Sequence, residues 1–432
     1  MEGLEGLINT RKARVGIIGL GYVGLPLAVE YARQGFMTTG FEVDAAKVKS
    51  LEKGVSYIPD IPTPAVRGLV HAGQLSATLD FGKLSQMDAV IICVPTPLRK
   101  SKDPDISYIV AALEKVHAGL KKGQLIVLES TTYPGTTREI LLPRLEKKGF
   151  KAGKDFYLAF SPERVDPGNK KFTITNTPKI VGGITPECSR LAQLLYGAVV
   201  QRVVAVSSPE CAEMVKLLEN TFRAVNIGLV NEVALMCHRL KLDTWEVIDA
   251  AATKPFGFMP FYPGPGLGGH CIPLDPHYLS WKLKTLNFNA RFIELAGEIN
   301  SHMPDYVVSR VADALNEKGK SVKGAKILVL GVAYKRDIGD VRESPALDLM
   351  EHLGHKHALV SFHDPYVSRL SLGGRVMKSV PLTKAVLRGQ DCVVIATDHS
   401  AFNIREIVQA SPLVVDSRNA TKGIKDKKIT KI

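Results

Sequence analysis

The sequence predicts an α/β protein, with two doubly wound parallel sheets joined by a helical middle domain that has one long helix. Three observations predict it. Short apolar runs alternate with helical periods over residues 14–160, as buried parallel strands alternate with crossover helices. The same alternation restarts at Lys326. Between the two lies Pro209–Leu240, rich in alanine, leucine and glutamate. Gly228 is its one internal glycine, and its proline stands at the first turn, where a helix tolerates it. A chain of 432 residues suits about three domains, and the boundaries expected are 1–206, 207–318 and 319–432.

Arg14–Ile18 reads as the first strand and Leu25–Gly35 as the first helix, stopped by its glycine. Met37–Val43 is the second strand and completes a βαβ unit. Asp88–Val94 is a strand running into Pro95, and Ile106–Gly119 is a helix. Gln124–Leu128 is a strand closed by Glu129, and Asp155–Phe160 one closed by Ser161-Pro162-Glu163. Thr253–Pro276 differs: eleven of its 24 residues are Gly or Pro, with aromatics among them. A loop of that length in a compact protein points to function. Ile293–Val311 is helical, with an interruption near Pro304. Lys326–Leu330, Ser344–Leu353 and Ala358–Phe362 form a second βαβ unit, followed by strands at Asp391–Ala396 and Leu413–Val415. The lysine-rich tail Lys422–Ile432 reads as a frayed end.

Composition narrows the function classes. Apolar residues are 45% and charged residues 23%, which excludes a disordered or coiled-coil chain. No run of about 20 apolar residues occurs, so no membrane span is expected. Val15–Val29 is broken by glycines and Pro26 and lacks a cleavage site, so no signal peptide is expected. Six scattered cysteines without a CxxC pair argue against a disulfide framework or zinc and for a reducing cytoplasm. The net charge is +13, and residues 320–432 hold 19 Lys+Arg against 11 Asp+Glu. That suits an anionic small substrate. The basic tail carries no aromatics for base stacking, so no nucleic-acid partner is expected. His352, His355, His357 and His363 are close in sequence, but their elements aim them in different directions, and no metal site is expected.

The motifs carry the chemistry. Gly19-x-Gly21-x-x-Gly24 follows a strand and opens a helix. The first glycine permits the tight turn, the second admits a pyrophosphate, and the third lets helix and strand pack. Glu42 lies 23 residues after Gly19, at the end of the next strand. A carboxylate there accepts from ribose hydroxyls and repels a 2′-phosphate, which favours NAD, although Lys47 nearby leaves NADP open. Cys271 lies in Gly264-Pro-Gly-Leu-Gly-Gly-His-Cys271-Ile-Pro-Leu-Asp275. Glycines let a substrate approach the sulfur, and a carboxylate four residues on suits covalent catalysis. The competing reading is a buried structural thiol, which also fits the other five cysteines. Lys216 and Asn220 share one face of the long helix, where they could stabilise an oxyanion or form a solvated stripe. The flanking Val215, Leu217, Leu218 and Phe222 point to a buried face. Glu163, at a strand end, could hold a water or pair with Arg164. Lys335, Arg336 and Arg342, after the strand of the last domain, place cations where a phosphate would sit.

Taken together and in order, these motifs resemble the UDP-glucose/GDP-mannose dehydrogenase family over roughly residues 12–420. The matching residues are the glycine fingerprint, Val94-Pro-Thr96, Glu129-Ser-Thr131, Ser161-Pro-Glu163, Lys216 with Asn220, Gly-Gly-His-Cys271 with Asp275, and Lys335–Ser344. The resemblance implies two Rossmann-like domains, one for NAD and one for UDP. It also implies a four-electron oxidation at C6 of a UDP-sugar. Cys271 would carry a thiohemiacetal and then a thioester, and Lys216 and Asn220 would stabilise oxyanions. Asp275 would transfer protons, and Thr131 and Glu163 would hold the hydrolytic water. Gly19, Gly21, Tyr22, Val23, Glu42, Lys47, Pro95, Thr96 and Thr131 would line the NAD site. Glu163, Arg164, Lys216, Asn220, Tyr262, Gly268, Lys335, Arg342 and Arg418 would line the substrate site. The middle helix forms a dimer interface in relatives, which implies a homodimer or larger homo-oligomer. The strings 254–276 and 161–168 resemble the N-acetylhexosamine branch. UDP-N-acetylglucosamine is then the expected substrate, with UDP-N-acetylmannosamine and UDP-glucose as alternatives. UDP-glucose enzymes carry a second Glu where this chain has Pro167, for which Asp166 could substitute, and His270 also departs from their pattern.

Overall fold

The computed structural model describes residues 3–99, 103–164, 169, 171–269 and 271–432. The chain forms two compact units, one of residues 1–219 and 277–287, the other of 220–276 and 288–432.

Among the described residues the first unit holds eight strands: β1 (Val15–Ile18), β2 (Thr38–Phe41), β3 (Leu75–Thr78), β4 (Ala89–Ile92), β5 (Leu125–Leu128), β6 (Tyr157–Phe160), β7 (Lys179–Gly183) and β8 (Val203–Ala205). Their order in the sheet is β3-β2-β1-β4-β5-β6-β7-β8. All neighbours run parallel except β6 and β7, which are antiparallel. Every residue of β1, β4 and β5 is buried. Alternate side chains feed two separate cores: Ile17, Ile91 and Val127 enter one, Ile18, Ile92 and Leu128 the other. A parallel sheet covered on both faces needs such continuous apolar runs.

The second unit holds β9 (Lys326–Leu330), β10 (Leu359–His363), β11 (Arg369–Leu372), β12 (Arg375–Lys378), β13 (Cys392–Ile395), β14 (Val414–Asp416) and β15 (Ile429–Lys431). Five of them form a parallel sheet in the order β10-β9-β13-β14-β15, and β11 and β12 form an antiparallel ribbon. Both large sheets reverse strand order once, between β1 and β4 and between β9 and β13. Ligands of open α/β sheets bind outside the strand ends at such points.

The long helix spans Pro209–Leu240 as expected. A glycine inside a helix is unfavourable by about 1 kcal/mol relative to alanine, and here Gly228 has a packing reason. A Cβ on it would sit 3.1 Å from that of Ala296 on the helix Arg291–Asn316.

Three expectations are corrected. The tail is a strand, not a frayed end: Ile429–Lys431 pairs with β14, and Ile432 is buried. Its isoleucines supply the apolar surface that the lysine count conceals. Pro304 does not interrupt its helix, which continues to Asn316. Pro304 is buried beside Met303, Val307 and Val308, and their burial outweighs the backbone bond that proline forfeits. The long helix is not buried all round, since Leu218 and Phe222 are exposed. Among the described residues, no helix is long and apolar enough to cross a membrane.

Candidate active site

In the first unit, β1 runs into the glycine loop. Gly19 has φ +89°, and a Cβ there would meet the Cys93 carbonyl oxygen at 2.6 Å. On Gly24 it would meet the Gly19 carbonyl oxygen at 1.8 Å. Both glycines are demanded by the protein's own packing. Gly21 is not: a Cβ there would meet nothing within 4 Å. Open space at the middle glycine, next to the N-terminus of the helix Gly24–Arg33, fits the close approach of a dinucleotide pyrophosphate. The buried Glu42 carboxylate accepts from the N–H groups of Leu20 (3.0 Å), Val43 (2.8 Å) and Asp44 (3.3 Å). The Lys47 ammonium lies 3.4 Å from the same carboxylate, so the cation that kept NADP open is paired. Tyr22 and Val23 continue the loop, and Tyr22 is exposed.

The other strand ends add to this site. The Ser130 hydroxyl donates to the Val94 carbonyl at 2.8 Å, tying the Thr131 segment after β5 to the Pro95-Thr96 segment after β4. The Tyr278 hydroxyl donates to the Thr96 carbonyl at 2.7 Å. Glu163 follows β6. The Arg164 guanidinium does not pair with it; it reaches Glu219 at 2.6 Å and the Pro178 carbonyl at 2.6 Å. Glu163 instead takes the Arg164 backbone N–H at 2.7 Å and faces the Lys179 ammonium at 3.4 Å. Lys216 is buried, not part of a solvated stripe, and donates to the Glu163 main-chain carbonyl at 2.6 Å.

In the second unit, the Asn220 side-chain amide donates to Asp275 Oδ2 at 2.5 Å, and both residues are buried. The Cys271 carbonyl accepts from the N–H groups of Leu274 (3.1 Å) and Asp275 (2.8 Å), so one turn links thiol-bearing residue, carboxylate and amide. Cys271 is half-buried; Cys93, Cys188, Cys237 and Cys392 are buried, whereas Cys211 is exposed, contrary to the expectation of a buried thiol. A buried pair missed by sequence reading holds the glycine-rich loop. Asn231 accepts from the Gly264 N–H at 3.0 Å and donates to Asn300 at 2.8 Å. Gly268 packs so that a Cβ would lie 2.6 Å from that of Tyr334. His270, Asp166 and Pro167, which bear on sugar choice, lie outside the described residues.

The predicted phosphate-binding residues lie after β9. The Arg342 guanidinium is engaged by Asp340 (2.5 Å) and Arg336 by Asp398 (3.1 Å), and Lys335 is half-buried. Asp364, at the end of β10, holds this loop. It accepts from the N–H groups of Val332 (2.7 Å), Ala333 (3.1 Å), Tyr366 (2.8 Å) and Val367 (3.1 Å). His399 lies 3.0 Å from it, and its Nδ1 accepts the Asp337 N–H at 2.9 Å. Burial pushes the Asp364 carboxyl up, but the His399 and backbone hydrogen bonds outweigh it, so the net shift is downward. Tyr262 stacks on Trp245 at 5.6 Å, and with Arg418, Asp249 and Lys422 it lines a cavity of about 330 Å³. Tyr262 and Arg418 are thus brought together, while Lys335 and Arg342 belong to the β9 loop. Among the described residues no group of three or more His, Cys, Asp and Glu side chains converges as metal ligands.

Three family models match in order. They are the UDP-glucose/GDP-mannose dehydrogenase family NAD binding domain over residues 13–200, its central domain over 210–302 and its UDP binding domain over 328–423. The chain belongs to this family. It is an NAD-dependent UDP-sugar dehydrogenase. It is 34% identical to a UDP-N-acetyl-D-glucosamine 6-dehydrogenase of Pseudomonas aeruginosa, covering 93% of this chain and 96% of the relative. It is 35% identical to a UDP-N-acetyl-D-mannosamine dehydrogenase of Pyrococcus horikoshii, covering 95% and 96%. A solved structure of a UDP-D-ManNAc dehydrogenase from Pyrococcus horikoshii superposes with a TM-score of 0.88, covering 97% of this chain and 99% of that one. For this dehydrogenase the glycine loop lies within the NAD binding domain, and the sheet around β9 and β13 belongs to the UDP binding domain.

Two outcomes follow. Gly21→Ala leaves the melting temperature unchanged and weakens NAD at least tenfold in a binding titration, whereas Gly24→Ala lowers the melting temperature. Equal melting losses in both would refute a ligand-imposed requirement at Gly21. Asp364, with its lowered pKa, contributes stability above the unfolded carboxylate value of about 3.9 and loses it as pH falls through the folded value. Asp364→Asn therefore destabilises by about 1–3 kcal/mol at pH 7, and denaturant melts of wild type and variant converge in acid.

Proposed function

We propose that this dehydrogenase oxidises the C6 hydroxyl of a UDP-N-acetylhexosamine, UDP-N-acetylglucosamine foremost, to the carboxylate. The product would supply acidic surface polysaccharide. The observation that carries the reading is the single turn linking Cys271 to Asp275, with Asp275 bonded to Asn220 at 2.5 Å. A thiol-bearing residue whose main chain bonds that of a carboxylate residue, and an amide donor on that carboxylate, support a covalent route.

Held by the Gly19–Val23 loop and Glu42, NAD would supply the hydride acceptor for each of two oxidations. The first makes the aldehyde, as a proton leaves the hydroxyl. The Cys271 thiolate then adds to the aldehyde carbon, and Asp275 manages the proton of the resulting thiohemiacetal. The second oxidation turns this into a thioester. Water held by Thr131 and Glu163 attacks it, breaks the C–S bond and frees the carboxylate and the thiol. Lys216 and Asn220 stabilise the oxyanions. Lys335, Arg342, Arg418, Tyr262, Gly268 and Arg164 hold the nucleotide sugar, in domains bounded at 206/207 and 318/319. A covalent aldehyde cannot escape between the two oxidations. Six free cysteines, Cys271 among them, suit a reducing cytoplasm. UDP-N-acetylmannosamine is the second reading, favoured by the Pyrococcus horikoshii relative.

Limiting UDP-N-acetylglucosamine should yield about two NADH per sugar, the electron count of an alcohol-to-carboxylate oxidation. Two NADH only with UDP-N-acetylmannosamine would move the substrate, and one NADH with any sugar would refute the thioester. Cys271→Ser should lose at least a thousandfold in turnover to the carboxylate; full turnover would equally refute it.

Phe222, Leu229, Met236 and Leu240 are exposed on the long helix. Their spacing places them within a narrow stripe of one helix face, which suits pairing with a second copy of the chain. Leu229→Glu with Met236→Glu should lower the mass seen by analytical ultracentrifugation. An unchanged mass would rule this face out.

A further inference from the structure

Behind Glu163 lies a buried charged cluster that the roles above leave unused. Lys179 opens β7 with its side chain 8% exposed. Its ammonium bonds Glu129 Oε1 and lies 3.4 Å from Glu163 Oε2. The other Glu129 oxygen accepts the Tyr196 hydroxyl. Glu129 has no exposed side-chain surface, and Glu163 has 12%. The groups facing this cluster come from every element around it. Glu129 follows β5, Lys179 starts β7, and Tyr196 comes from the helix Pro186–Gly197. Tyr31 comes from the helix Gly24–Arg33, and Cys93 follows β4. Lys216 reaches in from the long helix to the Glu163 carbonyl.

Two ionised carboxylates around one ammonium carry a net charge of −1, and burial opposes it. Burial first, against the pull of Lys179, pushes the Glu129 carboxyl up to about 7. Burial alone would lower the Lys179 ammonium, but Glu129 and Glu163 outweigh it and the net shift is upward. The lysine therefore stays charged, and a proton taken up by the pair is shared by two carboxylates, a coupled titration belonging to the pair.

We propose that Glu129, Lys179 and Glu163 form one proton-sharing unit, with Lys179 as a positioning residue and Glu129 as a buried proton store for Glu163. This rests on the role given above to Glu163. A proton that Glu163 takes from water brings the cluster from −1 to neutral, and the hydroxide so formed carries the charge to the substrate. The proton can then reside on either carboxyl while the lysine spans both. Tyr196 steadies the store by donating to its ionised form.

The test is an infrared titration of the full-length chain without substrate, carrying ¹³C-glutamate, which reads the buried carboxyl band directly. Wild type should titrate near neutral pH. In Glu129→Gln the remaining carboxylate has the ammonium to itself, and its midpoint should fall by about one to three pH units. In Lys179→Met both carboxylates lose their cation, and the midpoint should rise by a similar amount, with Lys179→Arg restoring it. Opposite shifts are what a merely structural lysine would not produce. Midpoints that stay fixed, or move the same way in both variants, overturn the proposal. Should Lys179→Met fail to fold, Tyr196→Phe replaces it and should shift the midpoint upward by a smaller step; no upward shift there overturns the proposal too. The acid limb of turnover, measured with UDP-N-acetylglucosamine or UDP-N-acetylmannosamine, is a separate readout. If the infrared shifts appear and the limb does not follow them, the unit stands and the role of Glu163 in turnover falls.

Discussion

Parallel strands all end on the same side of their sheet, and the placement of most candidate groups here depends on that. Gly19, Pro95, Thr131 and Glu163 lie in the segments that follow β1, β4, β5 and β6, past the same ends of one sheet. Residues more than a hundred positions apart are gathered without any local sequence relation. The same holds in the second sheet, where Lys335 follows β9 and Arg418 follows β14. The requirement falls on the strands themselves. They must be apolar on both faces, so chemistry is confined to the segments that follow them.

Segments placed in this way must still be held in shape, and buried polar side chains do it. Asp364 gathers four backbone N–H groups, Glu42 three, and Asn231 joins the glycine-rich loop to Asn300. A buried acceptor without donors is destabilising by about 1–3 kcal/mol, so each of these groups favours one loop conformation over others. The ordering of the site is thus enforced by the penalty for leaving such groups unpaired.

Much of this was legible in the sequence. Apolar runs such as 89–92 and 125–128 read as buried strands because nothing polar interrupts them. The glycine spacing after β1 and the Cys271 loop announced themselves through residue types with few other uses. What stayed hidden has a common cause. Lys179 is one charge at the head of an apolar run, and no period reveals that it meets Glu129 from fifty positions away. Asn231 and Asn300 are single amides on long helices, 69 residues apart. The last strand was masked by its lysines, which local composition reads as solvated. Pro304 carried a local signal that buried packing overrode. Pairings between distant residues leave no trace in a window of ten or twenty.

Lys216 is held by the carbonyl of Glu163, not by its side chain. Every amino acid has that carbonyl. The residue at 163 can therefore vary over generations without displacing the lysine, so long as the backbone keeps its course. A lineage is free to retune the carboxylate while the ammonium stays in place, and two functions at one position become separately adjustable.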